Sequence, residues 1–182
     1  MINNILLDQD GVLADFFTPA FEALKRKTKK EISREDYIKT KNFDMAEVFE
    51  ITRDEFWATV DTPGTFEKLD AFPWAGALVD FLKRFAPITI ASSPSPSDNC
   101  VSEKLFWLRK HLGISHKDCI FGGKKYLMAR PDALLIDDAP ENVFKFIEAG
   151  GKAVLIPSNW NTPNLSYNMI LETIIKSGYL NE

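Results

Sequence analysis

The sequence predicts a doubly wound α/β protein: a parallel sheet in a Rossmann-like core, with a small helical cap inserted after the first strand. Three observations carry this expectation. Four short runs, Ile5-Leu6-Leu7, Ile88-Thr89-Ile90-Ala91, Ala133-Leu134-Leu135-Ile136 and Ala153-Val154-Leu155-Ile156, are continuously apolar. Runs of this kind, rich in Ile, Leu and Val and too short for helices, fit strands covered on both faces. The runs after the first alternate with segments of helical period, which gives βαβ units. Polar residues also follow three of the four runs at once, at the strand ends where open parallel sheets bind ligands.

Taken in order, Ile5-Leu6-Leu7 opens the core and Asp8-Gln9-Asp10-Gly11 ends that strand. Residues 16–75 contain no strand-like run. Their helical stretches begin at start signals: Ser33-Arg34-Glu35-Asp36 loosely resembles a capping box, and Thr52-Arg53-Asp54-Glu55 fits one well. This segment is rich in rings, most of them needed to attach a helical insertion to the rest. The core then resumes. Ala77, Leu78, Phe81, Leu82 and Phe85 keep one apolar face ahead of the second strand. Val101, Leu105, Leu108 and Leu112 keep another, stopped by Gly113, and a shorter helix fits Glu141 to Ala149 before Gly150-Gly151. The expected division is a core of residues 1–15 and 76–182 and a cap of residues 16–75.

Composition narrows the function. With 45% hydrophobic and 26% charged residues in 182, the chain is ordinary for a globular protein with a sizeable core. A formal net charge of −4 argues against a protein that coats nucleic acid. No apolar run approaches the roughly 18 residues of a membrane span. The first residues lack the basic start of a signal peptide. Cys100 and Cys119, the only cysteines, form neither a disulfide framework nor a zinc motif, so a reducing cytoplasm is the expected location. The basic run from Lys25 to Lys30 reads as a solvated helix end.

The chemistry is expected where the strands end. Asp8, Asp10, Asp137 and Asp138 would bring four carboxylates into one crevice, an arrangement that repels itself unless a cation or protons intervene. Oxygen-only ligands of this kind suit Mg²⁺, which takes one or two carboxylates plus a substrate phosphate. The Ser92 hydroxyl and the amides beyond it would receive phosphate oxygens, and Lys124 or Lys125 would neutralise remaining charge. Taken singly, each motif has a plainer reading: Asp10-Gly11 as a turn, Ser92-Ser93-Pro94 as a capping loop, Asp137-Asp138 as a helix start. Their joint occurrence, in order and each just after a strand, points to a magnesium-dependent phosphoryl-transfer site.

These residues resemble the motifs of the haloacid dehalogenase superfamily of phosphatases: Asp8-Gln9-Asp10-Gly11-Val12-Leu13 its first, Ser92 its second, Lys124 or Lys125 its third and Ile136-Asp137-Asp138 its fourth. The likeness extends to the 5′(3′)-deoxyribonucleotidases through Asp10-Gly11-Val12-Leu13-Ala14-Asp15-Phe16, Ser92-Ser93-Pro94, the segment from Glu103-Lys104 to Gly113, and Lys125-Tyr126-Leu127. Two departures are visible: Gln9 stands where an apolar residue is usual, and Ser92 where Thr is common. The resemblance implies Asp8 as nucleophile and Asp10 as acid and base. Ser92, Ser93 and Lys125 would hold the phosphate, and Asp8, Asp10, Asp137 and Asp138 the Mg²⁺. It further implies a cap whose rings stack a nucleobase, for which Phe16, Phe43, Trp57 and Phe66 are the candidates. Trp107 falls in an amphipathic core helix and reads as structural.

The expected function is therefore a cytoplasmic, Mg²⁺-dependent hydrolase of (deoxy)nucleoside monophosphates, acting through an aspartyl-phosphate on a small-molecule nucleotide. A phosphatase for another small ester, such as a sugar phosphate or a nucleic-acid end, is the alternative enzyme. A nucleotide-binding regulator without turnover is the rival of another class, against which Asp10 speaks. The parallel-sheet core leaves edges and helices for a homodimer, but no patch in the sequence identifies one.

Overall fold

The computed structural model describes residues 1–180. Five parallel strands form its sheet: β1 (Asn4–Leu7), β2 (Ile88–Ser92), β3 (Cys119–Phe121), β4 (Ala133–Asp137) and β5 (Lys152–Leu155), in the order β3-β2-β1-β4-β5. The reversal of direction at β1 makes a topological switch point beside the central strand. In register, Leu7 lies between Ile90 and Ile136, so β1, β2 and β4 finish at nearly the same level. That level is where the polar residues begin.

The two faces of the sheet explain its apolar strands. Ile5 and Leu7 turn to one face, with Ile90, Leu134 and Ile136, under Leu78 and Leu82 of α5 (Ala75–Leu82), Trp107 and Leu108 of α6 (Cys100–Leu112), and Ile170 and Ile174 of α8 (Tyr167–Lys176). Leu6 and Leu135 turn to the other, against Val143 and Phe146 of α7 (Pro140–Glu148). Each fully buried Leu, Ile or Phe here contributes about 1.5–3 kcal/mol. Gly113 closes α6 at φ +64°, a left-handed cap for which glycine suits.

Between β1 and α5 lie four helices: α1 (Phe17–Thr28), α2 (Arg34–Thr40), α3 (Met45–Phe49) and α4 (Arg53–Val60). They share an apolar cluster of their own, built on Phe17, Phe21, Leu24, Tyr37, Phe49 and Val60. The caps expected from sequence are formed: Ser33 accepts from the Asp36 amide, and Thr52 with Glu55 makes the reciprocal capping box. The returning segment, with Phe66, Leu69, Phe72 and Trp74, packs into the larger core cluster instead. Lys30, at the end of the basic run, reaches the Val48 carbonyl and Glu50.

Two features depart from the sequence expectation. β3 is an additional strand, Cys119-Ile120-Phe121, three residues long at the sheet edge and part-exposed there. The helix expected over Ala77 to Phe85 begins earlier, at Ala75, and closes at Leu82. Among the described residues, no helix is long and apolar enough to cross a membrane.

Candidate active site

The turn after β1 gives its two acids different partners. Asp8 lies immediately past the strand, its amide still bonded to the Ile136 carbonyl at 3.0 Å. Its Oδ1 accepts from the Gln9 amide at 2.8 Å and pairs with Lys125 Nζ at 2.8 Å. Gln9 turns inward and is buried, with its Nε2 at 3.5 Å from the Lys104 carbonyl. Gly11 then turns the chain at φ +77°, and a Cβ there would collide with the Asp138 carboxylate. Glycine is thus required twice over, by conformation and by close approach.

Two buried lysines organise the carboxylates. Lys125, in the short helical turn after β3, bonds Asp137 Oδ2 at 2.7 Å as well as Asp8. Of the two lysines the sequence offers, Lys124 is exposed and Lys125 is the one beside these carboxylates. Burial alone would lower the Lys125 pKa, but the Asp8 and Asp137 carboxylates outweigh it and hold the ammonium form above its ordinary range. Lys104 comes from α6, where it donates to Asp10 Oδ2 at 2.5 Å and to Ser92 Oγ at 2.8 Å. Its placement as a site residue is new relative to sequence reasoning. Helical period assigned that face of α6 to the core, and only the neighbouring motif Glu103-Lys104 carried a signal.

The closing pair divides between two environments. Asp137 accepts from Lys125, the Ala139 amide at 2.8 Å and Asn142 Nδ2 at 3.0 Å. Asp138 Oδ2 accepts from Trp160 Nε1 at 3.1 Å. Burial, then the nearby Asp8 carboxylate, pushes Asp137 up to about 6 despite Lys125. Burial, with Asp137 and Asp8 behind it, holds Asp138 well above the usual carboxylate range. Burial also raises Asp10, against the opposing influence of Lys104.

Asp8, Asp137 and Asp138 each offer an oxygen within 4.8 Å of the others, and Asp10 Oδ1 has no hydrogen-bond partner. An all-oxygen donor set with an orphaned carboxylate oxygen beside it fits a hard divalent cation such as Mg²⁺. Ser92, at the end of β2, is buried beside Lys104, and Ser93 follows it half-buried.

The ring candidates fall into two groups. Phe16 stacks on Phe66 at 5.8 Å with planes 4° apart and lies 6.4 Å from Trp57. Phe66 itself is buried, with Lys104 Nζ 4.9 Å from its ring centre. Phe43 stands apart, 47% exposed and edge-on to Trp160 at 5.4 Å. A cleft of about 480 Å³ opens beside Phe16, lined also by Asp15, Arg26, Thr62, Lys68 and Asp70. None of the four acidic site residues lines it. Trp107 is structural, buried and bonded to the Leu69 carbonyl at 2.7 Å.

The fold is shared widely. A haloacid dehalogenase-like family hydrolase from Streptococcus pneumoniae superposes with a TM-score of 0.57 at 16% identity, over 94% of this chain and 90% of that one. A HAD-superfamily hydrolase of subfamily IA from Geobacter sulfurreducens does so with a TM-score of 0.53 at 16% identity, over 87% and 90%. The fold is therefore that of haloacid dehalogenase-like hydrolases. Residues 1–165 match the family described as 5′ nucleotidase, deoxy (pyrimidine), cytosolic type C protein. Two Bordetella proteins named "Putative 5′(3′)-deoxyribonucleotidase" are similar: that of B. pertussis is 35% identical over 75% of this chain and 74% of its own length, that of B. bronchiseptica 36% over the same shares. The chain belongs to this nucleotidase family, and as a member it is a phosphoric monoester hydrolase.

Proposed function

We propose that the chain is a Mg²⁺-dependent phosphatase that hydrolyses (deoxy)nucleoside monophosphates to nucleoside and phosphate through an aspartyl-phosphate at Asp8. The observation that carries this reading is the division of labour at the DxD turn. Asp8 is aligned by Lys125 and the Gln9 amide, while Asp10 is paired with Lys104, which also bonds Ser92. Two carboxylates held by separate cations can take separate roles.

In the first half-reaction a carboxylate oxygen of Asp8 attacks phosphorus, and the bond from phosphorus to the sugar oxygen breaks. Asp10 donates its proton to that leaving oxygen; the burial that raises its pKa favours the protonated form needed here. In the second, Asp10 takes a proton from the water that attacks the aspartyl-phosphate, which releases phosphate and restores Asp8. Ser92, Ser93 and the ammonium groups of Lys104 and Lys125 hold the transferring group's oxygens.

Asp8 and Asp138, with the Asp10 main-chain carbonyl, would hold Mg²⁺, and Asp137 completes the acidic set while tied to Lys125. When bound, Mg²⁺ supplies positive charge to the phosphoryl oxygens. Residues 16–75 serve as the cap over this edge, and residues 1–15 and 76–182 as the phosphatase core. Phe16, Trp57 and Phe43 contact the base, with Phe66 backing Phe16; each stacked base contributes about 1–3 kcal/mol. The enzyme would work in the cytoplasm, where its two unpaired cysteines stay reduced.

Phosphate release from a deoxyribonucleoside monophosphate, measured with Mg²⁺ and with chelator, tests the chemistry. Asp8→Asn should abolish release while leaving the thermal unfolding transition in place, and chelator should stop the parent protein. Substantial release from Asp8→Asn would remove the nucleophile assignment, and release that survives chelation would remove the metal.

A further inference from the structure

The loop after β5 joins the acidic edge to the four-helix cluster through one side chain. Ser158, Asn159 and Trp160 are all buried. Ser158 Oγ donates to the Gly11 carbonyl at 3.0 Å, which ties this loop to the turn that follows Asp10. The loop also closes on itself: the Ser158 amide donates to Asn161 Oδ1 at 3.0 Å, and the Asn161 and Thr162 amides donate back to the Ser158 carbonyl. The aim of the neighbouring indole is therefore set by its own loop. Its Nε1–H points at Asp138 Oδ2, 3.1 Å away. The Asp138 carboxylate also closes on Gly11, where no side chain fits. The body of the ring lies elsewhere, among Phe17, Tyr37, Met45 and Phe49, with Phe43 edge-on at its margin.

A buried indole N–H needs an acceptor, and a main-chain carbonyl commonly serves, as Leu69 does for Trp107. Trp160 instead uses an oxygen of an acid in the metal-binding set. We propose that Trp160 is a positioning residue for Asp138, and that through its ring the packing of helices α1 to α3 sets how firmly that carboxylate is held for Mg²⁺. The inference rests on the reading that Asp138 holds the metal. Its physical basis is general: partners that hydrogen-bond a ligating carboxylate fix its orientation, and losing one costs about 10–100-fold in metal affinity. Because the ring belongs to the helical cluster and the N–H to the acid, loosening either end weakens the same grip.

The test is a titration of the full chain with Mg²⁺ alone, followed by the heat of binding, with unfolding temperatures measured beside it. Trp160→Phe keeps the ring and removes the donor. Its half-saturating Mg²⁺ concentration should rise by about 10–100-fold, while its metal-free unfolding temperature moves little. Phe43→Ala, which has no polar contact with the acids, should shift half-saturation in the same direction by less. An unchanged half-saturation in Trp160→Phe would overturn the positioning role, and an unchanged one in Phe43→Ala the link to the helices. Should Trp160→Phe fail to fold, the indole N–H resonances of the parent protein decide. That of Trp160 should move as Mg²⁺ is added and that of Trp107 should stay; a stationary Trp160 signal would refute the proposal. If Mg²⁺ does not raise the parent protein's unfolding temperature at all, the metal reading itself fails and this inference falls with it, a result distinct from a parent that responds and a variant that responds equally.

Discussion

In the proposed two-step chemistry, both proton transfers fall to Asp10. Its Oδ2 is paired with Lys104, and its Oδ1 is buried without a hydrogen-bond partner, so nothing in the fold ties up that oxygen. Asp10→Asn keeps the shape and removes the exchangeable proton. It should lower kcat by about 10²–10⁴-fold, the usual worth of a positioned general acid and base. A near-parental kcat would show that the proton comes from elsewhere. Legibility at this scale was uneven. Asp8, Asp10, Ser92, Asp137 and Asp138 stood out as candidates because each lies at or just past the edge of an apolar run, whereas Lys125, beyond the unseen β3, rested on the family resemblance with Lys124 beside it. Lys104 could not, because it lies within an amphipathic helix where its position counts as core. Trp160 could not either: it sits in an irregular loop, and only the fold brings it to Asp138.

Among the elements, α6 does two things with adjacent residues. Lys104 reaches Asp10 and Ser92, while Glu103 accepts from the Gly64 amide at 2.7 Å and the Phe66 amide at 3.0 Å. The same helix turn thus holds Asp10 and the segment returning from the four helices. Both bonds run to a charged acceptor that is 9% exposed. Glu103→Gln forfeits the charge and leaves an amide group facing a donor, so it should cost about 1.5–3 kcal/mol in denaturant unfolding. A variant as stable as its parent would show that the return segment is held by Phe66 packing alone. The helices of residues 16–75 were legible through their caps, since Ser33 and Thr52 act locally within one turn. β3 was not, because an edge strand of three residues gains its identity from the neighbour it pairs with.

For the molecule as a whole, the acidic edge couples stability to pH. Asp10, Asp137 and Asp138 all have raised pKa values in the fold, that of Asp137 about 6, so between the unfolded and folded values the native state binds more protons than the unfolded chain. Their contribution is present below the unfolded carboxylate range and is lost as pH rises through the folded values. In the proposed site Mg²⁺ would need Asp138 ionised and would compete with its proton. The rise in unfolding temperature on adding Mg²⁺ should therefore be larger at about pH 7.5 than at about pH 5. An equal or larger rise at the lower pH would contradict a metal held by these carboxylates. The parallel sheet and the convergence of three distant strand ends were legible as a class of architecture, because continuous apolarity and βαβ alternation are long-range patterns; the strand order was not. How the rings of residues 16–75 divide between packing and ligand was not, since the same apolar character serves both uses.

The claim that ties these scales together is that the acidic edge and the ring-bearing helices above it act on one substrate class. Comparing kcat/KM for deoxy- and ribonucleoside monophosphates with that for sugar phosphates, in Mg²⁺, tests it most directly. A clear preference for nucleotides, lost for a small aryl phosphate that offers no base to stack, is the expected result. Sugar phosphates turned over as well as nucleotides, or better, would keep the phosphatase chemistry and contradict the base-binding role of Phe16, Phe43 and Trp57.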